Sequence, residues 1–187
     1  MKTNIRKVAV LGSGVMGSAI ACHFANVGCS VLLLDIVPKE AEDTDKKAAR
    51  NKLVNDALKA SLKSKPSPIY SKSFANRIET GNMTDDMSKI AECDWIIEVV
   101  VERLDIKKIV FENVEKHRKP GTLITSNTSG IPIHTMLEGR SDDFKQHFCG
   151  SHFFNPPRYL KLLEIIPTPE TKQSVVDFLM DYGSKIL

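Results

Sequence analysis

Apolar residues in this chain come in short unbroken runs rather than in alternation. Runs of strand length fall at 8–11, 31–34, 95–101, 123–125, 148–154 and 162–166. Continuous apolar strands suit a sheet covered by helices on both faces, because every side chain then points into a core. Between the runs, helical patterns cover 15–27, roughly 45–63, 106–116 and 170–182. The third of these is followed by Lys119-Pro120-Gly121, a clear stop signal. The alternation predicts an α/β fold: a Rossmann-type, doubly wound, mostly parallel sheet with helices on both faces. Residues 38–77 are too many for a simple crossover. They are expected to hold a long polar helix and a loop containing Pro66 and Pro68 before the sheet resumes near Ile78. The final residues, Gly183-Ser-Lys-Ile-Leu187, read as the turn into another strand, so a further domain is expected to follow.

The first apolar run leads straight into Gly12-Ser13-Gly14-Val15-Met16-Gly17, and the second ends in Asp35. Gly12 lets the chain turn sharply off its strand. Gly14 leaves room for the backbone to approach a pyrophosphate, and Gly17 lets the helix pack close to the sheet. The helix N-terminus then offers free N–H groups and the positive end of its dipole to the phosphates. Asp35 stands where it would accept hydrogen bonds from the adenosine ribose hydroxyls and repel a 2′-phosphate. Ile36, Val37 and Pro38 follow it, with no arginine, so the cofactor reading is NAD rather than NADP. A glycine turn alone is common; the strand, helix and terminal acid around this one make it specific.

The densest polar cluster in apolar surroundings lies late in the chain. One piece is Thr125-Ser-Asn127-Thr-Ser129-Gly, at the end of a predicted strand. The other is Gly150-Ser-His152-Phe-Phe-Asn155-Pro-Pro157, followed by Leu160-Lys-Leu-Leu-Glu164. Ligands of open parallel sheets bind beyond the carboxyl ends of the strands, so both pieces are expected on the rim that carries the glycine turn. Oxidising an alcohol with NAD needs a base for the hydroxyl proton, and an imidazole titrating near neutrality suits that task. A carboxylate partner would set its tautomer and stabilise the imidazolium. A lone histidine is by default a hydrogen-bonded core residue; polar neighbours and the rim position turn the reading of His152 to catalysis, with Glu164 as its partner. The remaining histidines lie mid-helix (His23), beside basic residues at a helix C-terminus (His117) or flanking a loop (His134, His147), and none has metal-ligand spacing. Glu102 and Lys107 read two ways, as a cap-region charge with a surface lysine, or as contacts to the nicotinamide-side ribose and the substrate's polar chain.

Composition narrows the class without adding chemistry. A net charge of +3 is too mild to argue for nucleic acid. One stretch, with Lys59, Lys63, Lys65 and Lys72 and no acid between them, reads as a solvated loop or, more sharply, as attraction for a polyphosphate such as the 3′-phospho-ADP of coenzyme A. Cys22, Cys29, Cys93 and Cys149 have irregular spacing, which points to reduced, mostly buried thiols in a cytoplasmic protein. No apolar run is long enough to span a membrane, and the first residues lack the apolar segment of a signal peptide.

Taken together, Gly-Ser-Gly-Val-Met-Gly at 12–17, Glu-Val-Val-Val-Glu at 98–102, Ser-Asn-Thr-Ser at 126–129 and His-Phe-Phe-Asn-Pro at 152–156 with Glu164 beyond it resemble the N-terminal domain of L-3-hydroxyacyl-CoA dehydrogenases. The resemblance covers essentially the whole chain, and its His-Phe-Phe-Asn-Pro element is far more specific than the glycine fingerprint. The 38–77 segment and the residues around Glu164 look most like the large bacterial multifunctional members. The resemblance implies NAD-dependent oxidation of L-3-hydroxyacyl-CoA to 3-oxoacyl-CoA, with acyl-CoA as partner. It implies His152 as general base and Glu164 as its orienting partner. Ser129 and Asn155 would hydrogen-bond the reacting oxygen and the substrate or nicotinamide, while Gly12 to Gly17, Asp35, Glu102, Lys107 and Asn127 would hold NAD. Family members complete the acyl-CoA site with a helical C-terminal domain that supplies a further asparagine and the dimer contact. Residues 1–187 are therefore expected to be the NAD-binding domain of a homo-oligomer, binding cofactor but turning over substrate poorly alone. The alternatives are a 3-hydroxybutyryl-CoA or other 3-hydroxyacid dehydrogenase, or a non-catalytic NAD-binding domain.

Overall fold

The computed structural model describes residues 4–187. Its seven strands form one sheet: β1 (Lys7–Leu11), β2 (Ser30–Asp35), β3 (Ile78–Asn82), β4 (Trp95–Glu98), β5 (Leu123–Ser126), β6 (Phe148–Phe153) and β7 (Leu163–Pro167). The spatial order is β3-β2-β1-β4-β5-β6-β7. The first six run parallel and β7 returns antiparallel to β6. This is the doubly wound sheet that the continuous runs predict. Its order reverses at β1, which pairs with β2 on one side and β4 on the other, and that is where a crevice opens for ligands.

The six α-helices among the described residues are α1 (Val15–Asn26), α2 (Lys47–Arg50), α3 (Lys52–Lys63), α4 (Leu104–His117), α5 (Asp142–Gln146) and α6 (Gln173–Lys185). Alternate residues of the central strands enter two cores. Val8, Val10, Val31, Leu33, Trp95 and Ile97 pack with α1 and α6 on one face. Ala9, Leu11, Leu32, Leu34, Ile96 and Ile124 pack with α4 on the other. Trp95 is fully buried and meets the edges of Phe24 and Tyr182, at centroid distances of 5.2 and 6.0 Å. Its indole N–H and the Ser151 hydroxyl both donate to the Thr125 hydroxyl, at 2.9 and 2.7 Å. One buried polar atom thus links β4, β5 and β6 beneath the rim.

The elements depart from the sequence reading at their ends. The run 95–101 is strand only to Glu98, because the Val100 amide bonds to the Glu98 carboxylate instead of to a neighbouring strand. The long polar helix is interrupted at Asn51, whose side chain is buried and accepts from Asn82. Gly183, expected to open a turn, lies inside α6, where an added Cβ would sit 3.4 Å from Leu163. Helix α6 therefore continues against β7, and no strand begins there. The four cysteines are buried without disulfides, and burial pushes the Cys93 and Cys149 thiols up to about 12. Among the described residues no helix is long and apolar enough to cross a membrane.

Candidate active site

The glycine turn shows which of its glycines the fold itself demands. Gly12 has φ +107°, and a Cβ there would lie 2.6 Å from the Val99 carbonyl oxygen. A Cβ on Gly17 would lie 1.9 Å from the Gly12 oxygen. Gly14 differs: its φ is ordinary and nothing lies within 4 Å of a Cβ. The fold has no need of glycine at 14, so the open space there fits an approaching ligand. Gly14 is also the N-cap of α1, with no side-chain cap and no acid in the first turn. The helix N–H groups stay available, and phosphates are the groups such a terminus binds.

Asp35 ends β2 next to this turn, accepting from the Ser13 amide at 2.6 Å, from the Ser13 hydroxyl and from the Ile36 amide at 2.7 Å. These bonds draw the carboxylate against the turn. Beyond Gly14 and the exposed Val15, a cleft of about 480 Å³ is walled by Ala57, Ser61, Pro66 and Asn155. Asn155 and the glycine turn, far apart in sequence, share one cavity. Met16 is half-buried and packs against the core behind the turn.

His152 and Glu164 stand directly opposite each other in the β6–β7 register. His152 Nδ1 lies 2.7 Å from Glu164 Oε2. A carboxylate only accepts, so Nδ1 carries the proton, and in the neutral ring Nε2 is then the acceptor. The ring is partly exposed, with 21% side-chain accessibility, and Phe154 lies against it at 4.6 Å. Its rim is the one that carries the glycine turn: the Phe153 amide donates to Asn127 Oδ1 at 2.9 Å, and the Asn127 amide donates to the Glu98 carbonyl at 2.9 Å. Asn127 thereby ties the ends of β4, β5 and β6 together.

Glu102 holds the turn after β5. Its Oε1 accepts from the Thr128 hydroxyl, from the Ser129 amide at 3.2 Å and from the Gly130 amide at 2.9 Å. Burial works to raise its pKa, but the Thr128 hydroxyl, the Gly130 amide and the Lys107 charge outweigh it and hold the carboxyl down at about 2. Lys107 is no surface lysine. It is 1% exposed, with its amine 2.8 Å from Glu98 and 3.4 Å from Glu102. Ser129 is exposed on the turn that Glu102 fixes.

Three features of this site escape the sequence reading. Glu98, fully buried, accepts from Lys107, from the Ser126 hydroxyl and from the Val100 amide. Arg50 grips Asp85 through two bonds of 2.7 Å and reaches the carbonyls of 41, 42 and 44, fastening α2 to the end of β3. Arg158 donates to the Ser67 and Ile69 carbonyls, tying the loop after His152 to the proline loop beside α3. Glu98 had a signal, since it opens the Glu-Val-Val-Val-Glu motif; the two arginines had none.

An uncapped helix N-terminus at the sheet's switch point, with a base-and-acid pair further along the same rim, defines a dinucleotide-dependent dehydrogenase domain. Residues 7–186 match the family described as 3-hydroxyacyl-CoA dehydrogenase, NAD binding domain, and the chain belongs to that family. A Bacillus subtilis (strain 168) protein named probable 3-hydroxyacyl-CoA dehydrogenase is 54% identical over 195 residues, covering 100% of this chain and 25% of the relative. The rat (Rattus norvegicus) mitochondrial hydroxyacyl-coenzyme A dehydrogenase is 31% identical over 97% of this chain and 56% of its own length. Among solved structures, 3-hydroxybutyryl-CoA dehydrogenase from Escherichia coli K12 superposes with a TM-score of 0.73 at 30% identity, over 97% of this chain and 36% of that one. The chain thus spans between a quarter and rather more than half of these relatives.

Proposed function

We propose that this chain is the NAD-binding and base-bearing domain of an enzyme that oxidises L-3-hydroxyacyl-CoA to 3-oxoacyl-CoA. The observation that carries the proposal is the His152–Glu164 pair, 2.7 Å apart on the rim of the glycine turn. Bound NAD supplies the hydride acceptor. The chain's own residues do the rest. Gly12 to Gly17 and the α1 N-terminus receive the pyrophosphate, with Ser13 on its backbone and Gly14 leaving the approach open. Asp35 takes the adenosine ribose, and Glu102, steadied by Lys107, faces the second ribose. His152 Nε2 accepts the hydroxyl proton of the substrate as the C3 hydride departs, and Glu164 orients the ring and stabilises the imidazolium. A positioned base of this kind contributes on the order of 10²–10⁴-fold. Ser129 and Asn155 donate to the substrate oxygen and the nicotinamide, and Asn127, beside the cofactor, holds the ends of β4, β5 and β6 in place.

Because the matched relatives are longer, the acyl-CoA site is proposed to need chain of the kind they carry outside the matched region. A direct test grafts residues 7–186 in place of the matching segment of the Bacillus subtilis relative and follows NADH formation. The graft is expected to oxidise the L and not the D isomer; oxidation of neither would sink the proposal. The named activity of the Escherichia coli structural neighbour favours a second reading, in which the preferred substrate is 3-hydroxybutyryl-CoA. The ratio of kcat/KM for that substrate and a long-chain one separates the two. The buried thiols without disulfides support a reducing compartment, the cytoplasm.

A further inference from the structure

The buried ion pair between Glu98 and Lys107 is the least economical feature of the rim. Both side chains are essentially without solvent, at 0% and 1% exposure. An apolar pair of similar volume would serve stability as well or better, because two desolvated charges rarely recover their hydration in full. The pair needs another reason to be there, and its contacts supply one. Glu98 gathers three donors: the Lys107 amine from α4, the Ser126 hydroxyl from β5 and the Val100 amide beyond β4. It thereby fixes the strand exit that lies against Gly12. The Lys107 amine, so anchored, also reaches Glu102 at 3.4 Å and the Val100 carbonyl at 3.4 Å. Glu102 in turn grips the 128–130 turn with three bonds to one oxygen.

We infer that Glu98 is a positioning residue for the cofactor site, holding Lys107 so that its amine fixes Glu102 and, through Glu102, the turn that bears Ser129. Glu98 itself does not touch cofactor or substrate; it acts through Lys107. Removing its charge leaves Glu102 as the carboxylate that draws the buried amine, which pulls that carboxylate off the 128–130 amides. The inference rests on the proposed placement of NAD beside Glu102. It does not depend on acyl-CoA being the substrate.

The test measures NAD(H) affinity on the 187-residue chain by energy transfer from Trp95, its one tryptophan, to bound NADH. Glu98→Gln is expected to weaken binding about tenfold, the size of one lost charge-assisted hydrogen bond. In a Glu102→Gln background, the same change is expected to add little, because both act along one path. Independent effects that multiply in the double variant would overturn the inference, as would unchanged affinity in Glu98→Gln. If that variant does not fold, Glu98→Asp, which keeps the buried charge but draws it back from the Lys107 amine, replaces it in the same cycle with the same two outcomes. Failure of acyl-CoA oxidation in the graft leaves this affinity cycle intact, so the two readings fail separately.

Discussion

At the residue scale, the glycines separate what the fold needs from what the ligand needs. Gly17→Ala forces a Cβ to within 1.9 Å of the Gly12 oxygen and is expected to cost about 1–3 kcal/mol or more of stability, read as a lower denaturant midpoint. Gly14→Ala meets nothing and is expected to leave that midpoint unchanged, while NADH affinity falls by roughly tenfold or more. Equal losses of stability in the two variants would show that Gly14 serves the fold instead. Glu102 offers a pH signature of opposite character. Its carboxyl is held at about 2, below the ordinary 4.5, so it contributes stability that is complete above the unfolded value and fades as pH falls towards the folded one. The melting-temperature gap between native chain and Glu102→Gln is therefore expected to be constant above roughly pH 5 and to shrink below pH 4. A gap that widened in acid would contradict the assignment.

At the element scale, the central strands β1, β2 and β4 were legible because each carries buried apolar residues on both faces, and the glycine turn because its spacing is tied to backbone geometry. The ends were less legible. The strand 95–101 stops early because Glu98 captures the Val100 amide, a contact invisible without knowing that Glu98 is buried. That burial depends on Lys107, a helical turn into α4, and on Ser126 in another strand. Gly183 misleads for a similar reason: in sequence it signals a turn, whereas in space it lies inside α6, which packs against β7. His152 and Glu164 were legible as candidates from residue type and position, but only the antiparallel register of β7 brings them face to face. Within the 38–77 segment, α3 packs Val54 into the core beside α1, whereas the stretch before it is held by Arg50. Arg50→Ala is expected to free the stretch between β2 and α3 for cleavage, so limited proteolysis should cut there first, with the sheet intact; unchanged resistance would show that the packing of α3 suffices.

At the scale of the whole molecule, six parallel strands bring the glycine turn, the Glu102-held turn and the His152–Glu164 pair to one rim, linked by the hydrogen bonds of Asn127 and Glu98. Cofactor binding needs only this rim and is expected of the chain by itself. Substrate oxidation is expected to be at least about 100-fold faster in the graft than in the chain alone, since holding the acyl chain in place contributes several kcal/mol to the reaction. Comparable rates would mean that the domain already carries a complete site. The decisive measurement is the pairing of turnover with NADH affinity in the graft, with and without His152→Gln. Turnover of L-3-hydroxyacyl-CoA is expected to fall by about 10²–10⁴ while NADH binds as before. Turnover that survived the change, or affinity that collapsed with it, would contradict a proton-accepting imidazole at this position.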